Sequence, residues 1–379
     1  MSDFSAADHR FMARALQLAR NGLTTAHPNP RVGCVLVRSD TIVGAGWHER
    51  TGAAHAEVNA LAKAGTEAAG ATAYVTLEPC SHQGRTGPCS RALLDAGVAQ
   101  VICAMEDPSA HASGRGLSQL AEGGVKVASG LLRAAAETLN AGFLSRIRRG
   151  RPFVRLKIAS SFDGATAMQD GRSQWISGAA ARADVQRLRA MSGAILTGIG
   201  TVLADDPLLT VRPMEVTIRQ PLLRQPLLRQ PLRAIVDSKL RTPPGSRLLA
   251  ESGQTAIFCL DDFGRSALES AGARVFQVAA APRGVDLSSV LVILADEYLV
   301  NDLLVEAGSM LAGSLLAAGL VDELVIYQAP HIMGSETRGM FNTPDWRRFG
   351  SGPPLEIIDV RRVGPDTRIT ARPRPGDKA

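Results

Sequence analysis

What most limits the folds open to this chain is an alternation of strand-like and helix-like segments that runs twice and is broken once. In the first pass, residues 5–21 carry Phe11, Met12, Ala15, Leu16 and Ala19 near helical spacing, with Phe4 just before, and close at Asn21-Gly22. V-G-C-V-L-V (32–37) and T-I-V-G-A-G (41–46) flank Arg38-Ser39-Asp40 and read as a hairpin. Helices are predicted over 55–64, 89–96 and 114–122, strands over 71–77 and 98–105, and one helix-like segment over 129–151. The break is Arg146-Ile147-Arg148-Arg149-Gly150-Arg151-Pro152, a dense basic stretch read as a domain junction. The second pass predicts strands at 153–159, 194–198, 233–237, 254–260, 274–278, 302–306 and 322–329. Its helices fall at 178–191 and 309–318, and a closing strand pair falls within 355–371. The pattern calls for sheets covered by helices, hence an α/β class. At 379 residues the chain exceeds what one core sustains, about 250–300. Two domains are therefore expected, 1–148 and 149–379.

Several classes drop out. Hydrophobic residues make up 45% and charged residues 21%, so a mostly disordered chain is excluded. The richest apolar run, 290–305, is interrupted by Asp296, Glu297, Asn301 and Asp302, so no membrane span is expected. The N-terminus has no apolar core of secretory type, which makes the cytoplasm the expected compartment. The net charge of +6 is carried mainly by arginine and spread along the chain, which suits an anionic small ligand better than a nucleic-acid groove. Residues 219–233 read RQPLL-RQPLL-RQPLR; a proline at every fifth position fits neither helix nor strand, so a surface loop without catalytic role is expected.

Chemistry concentrates in the first half. His55-Ala-Glu57 opens a predicted helix, Pro79-Cys80 follows a strand, and Cys89 begins the next helix. One imidazole and two thiolates are the three protein ligands of a catalytic zinc, with a fourth position kept for water. Both thiolates are read as lying near helix starts, where the helix dipole favours the ionised sulfur. Glu57, two residues from the ligand histidine, is placed to take a proton from that water and hand it to a ring nitrogen and a departing amine. His-x-Glu followed by Pro-Cys and a second Cys resembles the nucleobase deaminase signature, although eight residues separate the cysteines here rather than two. Asn29, His48 and His82 are placed to contact a pyrimidine, and Arg85 to meet a phosphate. Cys34, Cys103 and Cys259 fall on apolar strand patterns and are read as core.

Two other readings stay open on residues alone. A nucleic-acid deaminase would have a two-residue cysteine gap and stacking aromatics, whereas aromatics are only 4%. A non-catalytic relative would be expected to have lost Glu57 or a ligand.

P-N-P-R-V-G-C-V-L-V, H-A-E-V-N-A and T-L-E-P-C-S-H-Q-G-R-T-G-P-C, followed by K-I-A-S-S-F-D-G, S-Q-W-I-S, T-V-L-A-D-D-P-L-L-T-V-R, V-D-S-K-L-R-T-P and V-E-A-G, resemble the bifunctional riboflavin-biosynthesis deaminase–reductases over nearly the whole chain. The resemblance implies a cytidine-deaminase-like α/β/α domain followed by a dihydrofolate-reductase-like α/β domain. It implies Zn(2+) on His55, Cys80 and Cys89, and Glu57 as the proton shuttle. It implies NADPH contacts at Ala159, Trp175, Thr201, Asp205, Ser238 and the loop Gly308, Ser309, Met310, Leu311, Ala312, Gly313 and Ser314. Contacts to a phosphorylated pyrimidine are implied at Ser173, Arg189, Leu209, Arg212 and Glu306, with Asn29, His82 and Lys157 as further candidates. A homodimer or higher homo-oligomer is expected, with neither nucleic acid nor membrane as partner. Departures from the family pattern are Gly87 in place of a proline, Cys34 in place of alanine, and Ser309-Met310 after Gly308.

Overall fold

The computed structural model describes residues 4–81, 87–109, 113–173, 175–212, 229–348 and 350–374. His82, Arg85 and residues 219–228 of the repeat lie outside them. The chain divides into two compact units, with the junction between Gly150 and Arg151.

The first unit runs α1 (Ala6–Ala19), β1 (Gly33–Arg38), β2 (Thr41–Trp47), α2 (Ala56–Ala64), β3 (Thr72–Val75), α3 (Cys89–Asp95), β4 (Gln100–Cys103), α4 (Arg115–Glu122), β5 (Lys126–Ser129), α5 (Arg133–Leu139) and α6 (Ala141–Arg149). Among the described residues its sheet has the order β2-β1-β3-β4-β5. The pairs β2-β1 and β1-β3 are antiparallel, and β3, β4 and β5 are parallel. Side chains alternate between the two faces of β1. Val35 and Val37 pack with Phe11, Met12 and Leu144, while Cys34 and Leu36 pack with Ala56, Ala60 and Leu93. Period-two alternation thus builds an apolar layer on each face.

Two glycines on β2 let α2 press against the sheet. A Cβ on Gly44 would fall 2.3 Å from the Ala60 carbonyl oxygen, and one on Gly46 would fall 2.5 Å from that of Ala56. That close approach fixes where α2 begins, and therefore where His55 sits.

The helix-like segment predicted over 129–151 is not one element. Ser129 ends β5, and the remainder forms α5 and α6, separated at Asn140. The Asn140 side chain is spent on a distant loop, accepting from Arg31 N at 2.8 Å and donating to Arg31 O at 3.0 Å. That tertiary pairing breaks a helix that local periodicity would continue.

The second unit begins with β6 (Phe153–Ser160), β7 (Ala165–Met168), α7 (Ala179–Met191), β8 (Ala194–Gly198), α8 (Ile199–Asp205) and β9 (Leu232–Val236). It continues with α9 (Arg247–Ala250), β10 (Thr255–Cys259), α10 (Arg265–Ser270), β11 (Ala273–Gln277), β12 (Ala280–Ala281), β13 (Gly284–Val285), α11 (Leu287–Asp296) and β14 (Asp302–Glu306). It closes with α12 (Ser309–Ala317), β15 (Glu323–Gln328), β16 (Thr337–Gly339), β17 (Leu355–Val363) and β18 (Asp366–Pro373). The main sheet among the described residues has the order β11-β10-β9-β8-β14-β6-β15-β18-β17. The strands from β11 to β15 are mutually parallel, and β18 and β17 close the edge antiparallel. The chain moves outward from β8 to β11, then returns to insert β14 between β8 and β6. That reversal is the kind of switch point beside which open α/β sheets form ligand crevices, outside the carboxyl ends of the strands.

The apolar run 290–305 resolves into the end of α11, which supplies Val290, Leu291 and Leu294 to the core, and β14. The repeat differs from its reading as a loop over 219–233. Its last residues are built into the unit: Gln230 accepts from Val211 N at 2.8 Å, and Leu232 and Arg233 begin β9. Arg233 is 1% exposed. Its guanidinium donates to Thr255 Oγ1 at 2.9 Å and to the carbonyls of Glu251, Ser252 and Gly253 at 3.0, 2.9 and 2.8 Å.

Candidate active sites

In the first unit three side chains meet at the carboxyl end of β3. His55 is the N-cap of α2, Cys80 lies in the loop after β3, and Cys89 is the first residue of α3. Cys80 is therefore not at the start of a helix of its own. Its sulfur reaches one through space, accepting the Cys89 backbone N–H at 3.3 Å. The donor atoms all lie within 4.8 Å of one another. His55 Nδ1 stands 3.3 Å from Cys89 Sγ and 3.6 Å from Cys80 Sγ. A tetrahedral zinc with Zn–S near 2.3 Å and Zn–N near 2.0–2.1 Å separates nitrogen from sulfur by ~3.6 Å. The donor set and its spacing fit that ion.

The electrostatics suit proton transfer. Glu57 is 3% exposed, and burial pushes its carboxyl up to about 7. The Cys80 thiol is held down to about 4, chiefly by the hydrogen bond from the Cys89 thiol, and that same bond pushes Cys89 up. Asn29 lies beside this centre, its Nδ2 3.0 Å from His48 Nε2. His48 is buried, which lowers its basicity, and its ring meets that of His55 edge-on at 5.4 Å between centroids.

Glu78 has a place in the site that the sequence reading did not assign. This buried carboxylate accepts from Asp107 N (3.0 Å), Gly114 N (3.0 Å), Gly116 N (2.9 Å) and Leu117 N (3.3 Å). It ties the first turn of α4 and the loop after β4 to the segment carrying Cys80. Gly116 is needed there because a Cβ would fall 1.9 Å from the Pro79 carbonyl oxygen. The available signal was an acid at the end of an apolar strand, directly before Pro79-Cys80. Cys34, Cys103 and Cys259 are all buried.

In the second unit the parallel strands bring candidate residues to one edge of the sheet. Ala159 lies near the carboxyl end of β6, and Glu306 ends β14 with Gly308 just beyond it. Thr201 and Asp205 lie on α8, directly after β8. Ser238 follows β9 and accepts Leu260 N on its carbonyl at 3.1 Å. Gly308 is the N-cap of α12 without a side-chain cap, so the first-turn N–H groups through Leu311 are not used by one. A Cβ on Gly308 or Gly200 would meet nothing within 4 Å. Open space, uncapped N–H groups and strand ends at a switch point suit the phosphates of a dinucleotide. Met310 sits at this opening, 64% exposed, and receives Asn342 Nδ2 on its sulfur at 2.7 Å. Ala312 and Gly313 face the core instead, and Ser314 donates back to Met310 O at 3.0 Å.

The implied substrate residues separate into a buried ionic cluster and its surroundings. Arg189 Nε and Nη2 grip Glu306 at 2.6 and 3.1 Å, and Nη1 donates to Thr210 O at 2.9 Å. Lys157 Nζ stands 3.9 Å from the same carboxylate. Burial alone would raise the Glu306 carboxyl, but Arg189 and Lys157 outweigh it and hold the group below its ordinary value. Burial lowers Lys157. Leu209 is buried with φ of 51°, a left-handed conformation that costs a non-glycine residue about 1–2 kcal/mol. Arg212 is exposed, its backbone held by Gln186 Oε1 at 3.0 Å. Ser173 is half-buried, and Trp175 is exposed with the Arg182 guanidinium 4.7 Å from its ring centroid.

Comparison with known proteins agrees with both halves. Residues 5–105 match the cytidine and deoxycytidylate deaminase zinc-binding region, and residues 152–369 match the RibD C-terminal domain. The chain is 48% identical to the riboflavin biosynthesis protein RibD of Escherichia coli over 360 residues, covering 95% of this chain and 97% of that one. The solved structure of Acinetobacter baumannii RibD superposes with a TM-score of 0.90 at 40% identity, covering 97% and 99% of the two chains. A Thermotoga maritima diaminohydroxyphosphoribosylaminopyrimidine deaminase/5-amino-6-(5-phosphoribosylamino)uracil reductase gives 0.83 at 29% identity, again over 97% and 99%. With a His-Cys-Cys zinc-binding deaminase unit and a dihydrofolate-reductase-like reductase unit in one polypeptide, the chain belongs to the bifunctional RibD deaminase–reductases of riboflavin biosynthesis.

Proposed function

We propose that the first unit hydrolyses the 2-amino group of 2,5-diamino-6-(5-phosphoribosylamino)pyrimidin-4(3H)-one. The second unit then uses NADPH to reduce the ribosyl group to ribityl, giving 5-amino-6-(5-phosphoribitylamino)uracil. The observation that carries this reading is the buried Glu57 beside the clustered His55, Cys80 and Cys89, in a chain whose other unit has a strand-order switch point.

Zinc, held by His55, Cys80 and Cys89, supplies Lewis acidity and an acidified water. Glu57 does the proton work. A carboxyl poised near neutrality accepts one proton of the attacking water and gives it to the ring nitrogen, then carries the remaining hydroxyl proton to the amine, which leaves as ammonia as the carbonyl forms. Asn29 holds the pyrimidine edge. In the second unit, bound NADPH would supply the hydride for C1′ of the sugar, as the bond from C1′ to the ring oxygen breaks and that oxygen takes up a proton. The uncapped start of α12, with Ala159, Thr201, Asp205 and Ser238, holds the dinucleotide. Glu306 and Lys157 line the reducing centre, with Arg189 fixing Glu306 from behind. Arg212, exposed and within electrostatic reach of Glu306, grips the ribose phosphate.

A homodimer or larger homo-oligomer is part of the proposal. β17 is an edge strand with Leu355, Ile357, Ile358 and Val360 all exposed, a surface that is costly to leave bare. Light scattering on wild type and Ile357→Lys tests it: wild type is expected above monomer mass and the variant nearer to it, and a monomeric wild type refutes it. For the activity, purified protein with the diamino substrate and NADPH is followed for both ammonia release and NADPH oxidation, with zinc measured on the same sample. Ammonia released ahead of NADPH oxidation supports the reading; NADPH oxidation without ammonia refutes it.

A further inference from the structure

His48 follows directly on β2 and is 3% exposed, and both of its ring nitrogens are already engaged. Nδ1 faces the carbonyl oxygen of Ala54 at 3.2 Å, and Nε2 faces Asn29 Nδ2 at 3.0 Å. Asn29 and His48 are each held by a backbone hydrogen bond. Asn29 N donates to Ala26 O at 2.8 Å, His48 N donates to Val32 O at 2.9 Å, and Ala54 immediately precedes the ligand His55.

A peptide carbonyl can only accept, so the ring proton sits on Nδ1. In the neutral ring Nε2 is then a bare lone pair, which can only accept in turn. The end of the Asn29 amide that meets it must be the NH2, and the carbonyl Oδ1 is turned the other way. The chain of bonds from Ala54 O through the imidazole thus distinguishes two amide ends that are alike in shape.

We infer that His48 is a positioning residue of the deaminase: it locks Asn29 so that a carbonyl oxygen, not an NH2, is presented to the pyrimidine. It does so without touching the pyrimidine itself. A presented acceptor selects a ring edge that carries a donor, such as a protonated ring nitrogen or an amino group, and disfavours one that carries only lone pairs. The inference rests on the deaminase reading above for its substrate, but not for the arrangement of the three side chains.

The test uses the full-length, zinc-loaded protein and has two arms. Long-range proton–nitrogen NMR on protein labelled with 15N-histidine should show His48 protonated at Nδ1 and bare at Nε2. In the second arm, ammonia release is measured for His48→Ala, His48→Gln, Asn29→Ala and the Asn29→Ala/His48→Ala double variant. Zinc content and reduction of pre-deaminated intermediate by the other unit serve as folding controls. His48→Ala should keep zinc and reductase rate while deaminase kcat/KM falls about 10–100-fold, the size of effect seen when a supporting partner is lost. The double variant should be no worse than Asn29→Ala alone. His48→Gln, whose Oε1 can accept in place of Nε2, should recover most of the loss. Multiplied effects in the double variant, a proton on Nε2, or loss of zinc from His48→Ala would each overturn the inference. A wild type that releases no ammonia would sink the deaminase reading, while the NMR arm would still decide the geometry.

Discussion

Replacing Glu78 with glutamine removes one charge and changes almost no volume, so it isolates what the four converging backbone N–H groups contribute. Oε1 accepts from Gly116 and Leu117, and Oε2 from Asp107 and Gly114. A glutamine oxygen can serve only one of these pairs. The NH2 end then points at two buried donors and can satisfy neither. Each orphaned buried donor costs about 1–3 kcal/mol, so the variant should lose ~2–4 kcal/mol even after some relaxation. For a unit of this size that corresponds to a fall of roughly 5–15 °C in its melting temperature. Scanning calorimetry of the full chain should show the deaminase transition moving down while the reductase transition stays. Zinc should also be surrendered at lower chelator concentration, because Pro79 and Cys80 hang from the same clamp. An unshifted deaminase transition with wild-type zinc retention would refute the claim that Glu78 holds the ligand loop.

Glu57→Gln should keep its zinc and lose ammonia release by about 10²–10⁴-fold. Stripping the metal with a chelator should likewise stop ammonia release while leaving reduction of pre-deaminated intermediate intact; continued deamination in either sample would contradict the roles given. Arg233→Lys keeps the charge but leaves carbonyls of 251–253 without donors, and should destabilise the reductase unit by about 2–4 kcal/mol in urea titrations. Glu306 has a folded-state pKa below its unfolded value, so its contribution is complete above the ordinary carboxyl range and is lost as pH falls through the lowered value. Reductase-unit stability should therefore fall in acid, and Glu306→Gln should flatten that part of the profile; an unchanged acid slope would remove Glu306 as the cause.

The alternation of elements was readable because each sheet strand alternates or saturates with apolar residues, and the zinc centre was readable because its ligands sit at element ends, where spacing is informative. Asn140 was not, since its partner Arg31 lies more than a hundred positions away and nothing local marks the break between α5 and α6. α11 was hidden for a different reason. Its run is apolar nearly all round, and Leu287–Asp296 passes into β14 through a few residues, so no period separates helix from strand. Glu78 stands inside the T-L-E-P-C motif, but its function depends on four N–H groups supplied by residues 107–117. Cys80 was legible as a ligand though not as a neighbour of α3, because only the folded loop brings its sulfur to Cys89 N.

The place of β14 in the sheet bears on how this protein is made. β6 is among the first parts of the second unit to be synthesised, yet both of its neighbours, β14 and β15, come far later in the chain. At ~5–20 residues per second, the roughly 170 residues between the ends of β6 and β15 take on the order of 8–35 s to appear. The first unit has all its strands within its own 150 residues and can close during that interval. β6 cannot: its apolar residues Val154, Leu156 and Ile158 wait without a partner strand on either side. A nascent chain of this protein therefore passes through a stage with a finished zinc-binding unit and an exposed central strand, the stage at which chaperone capture or aggregation would be decided.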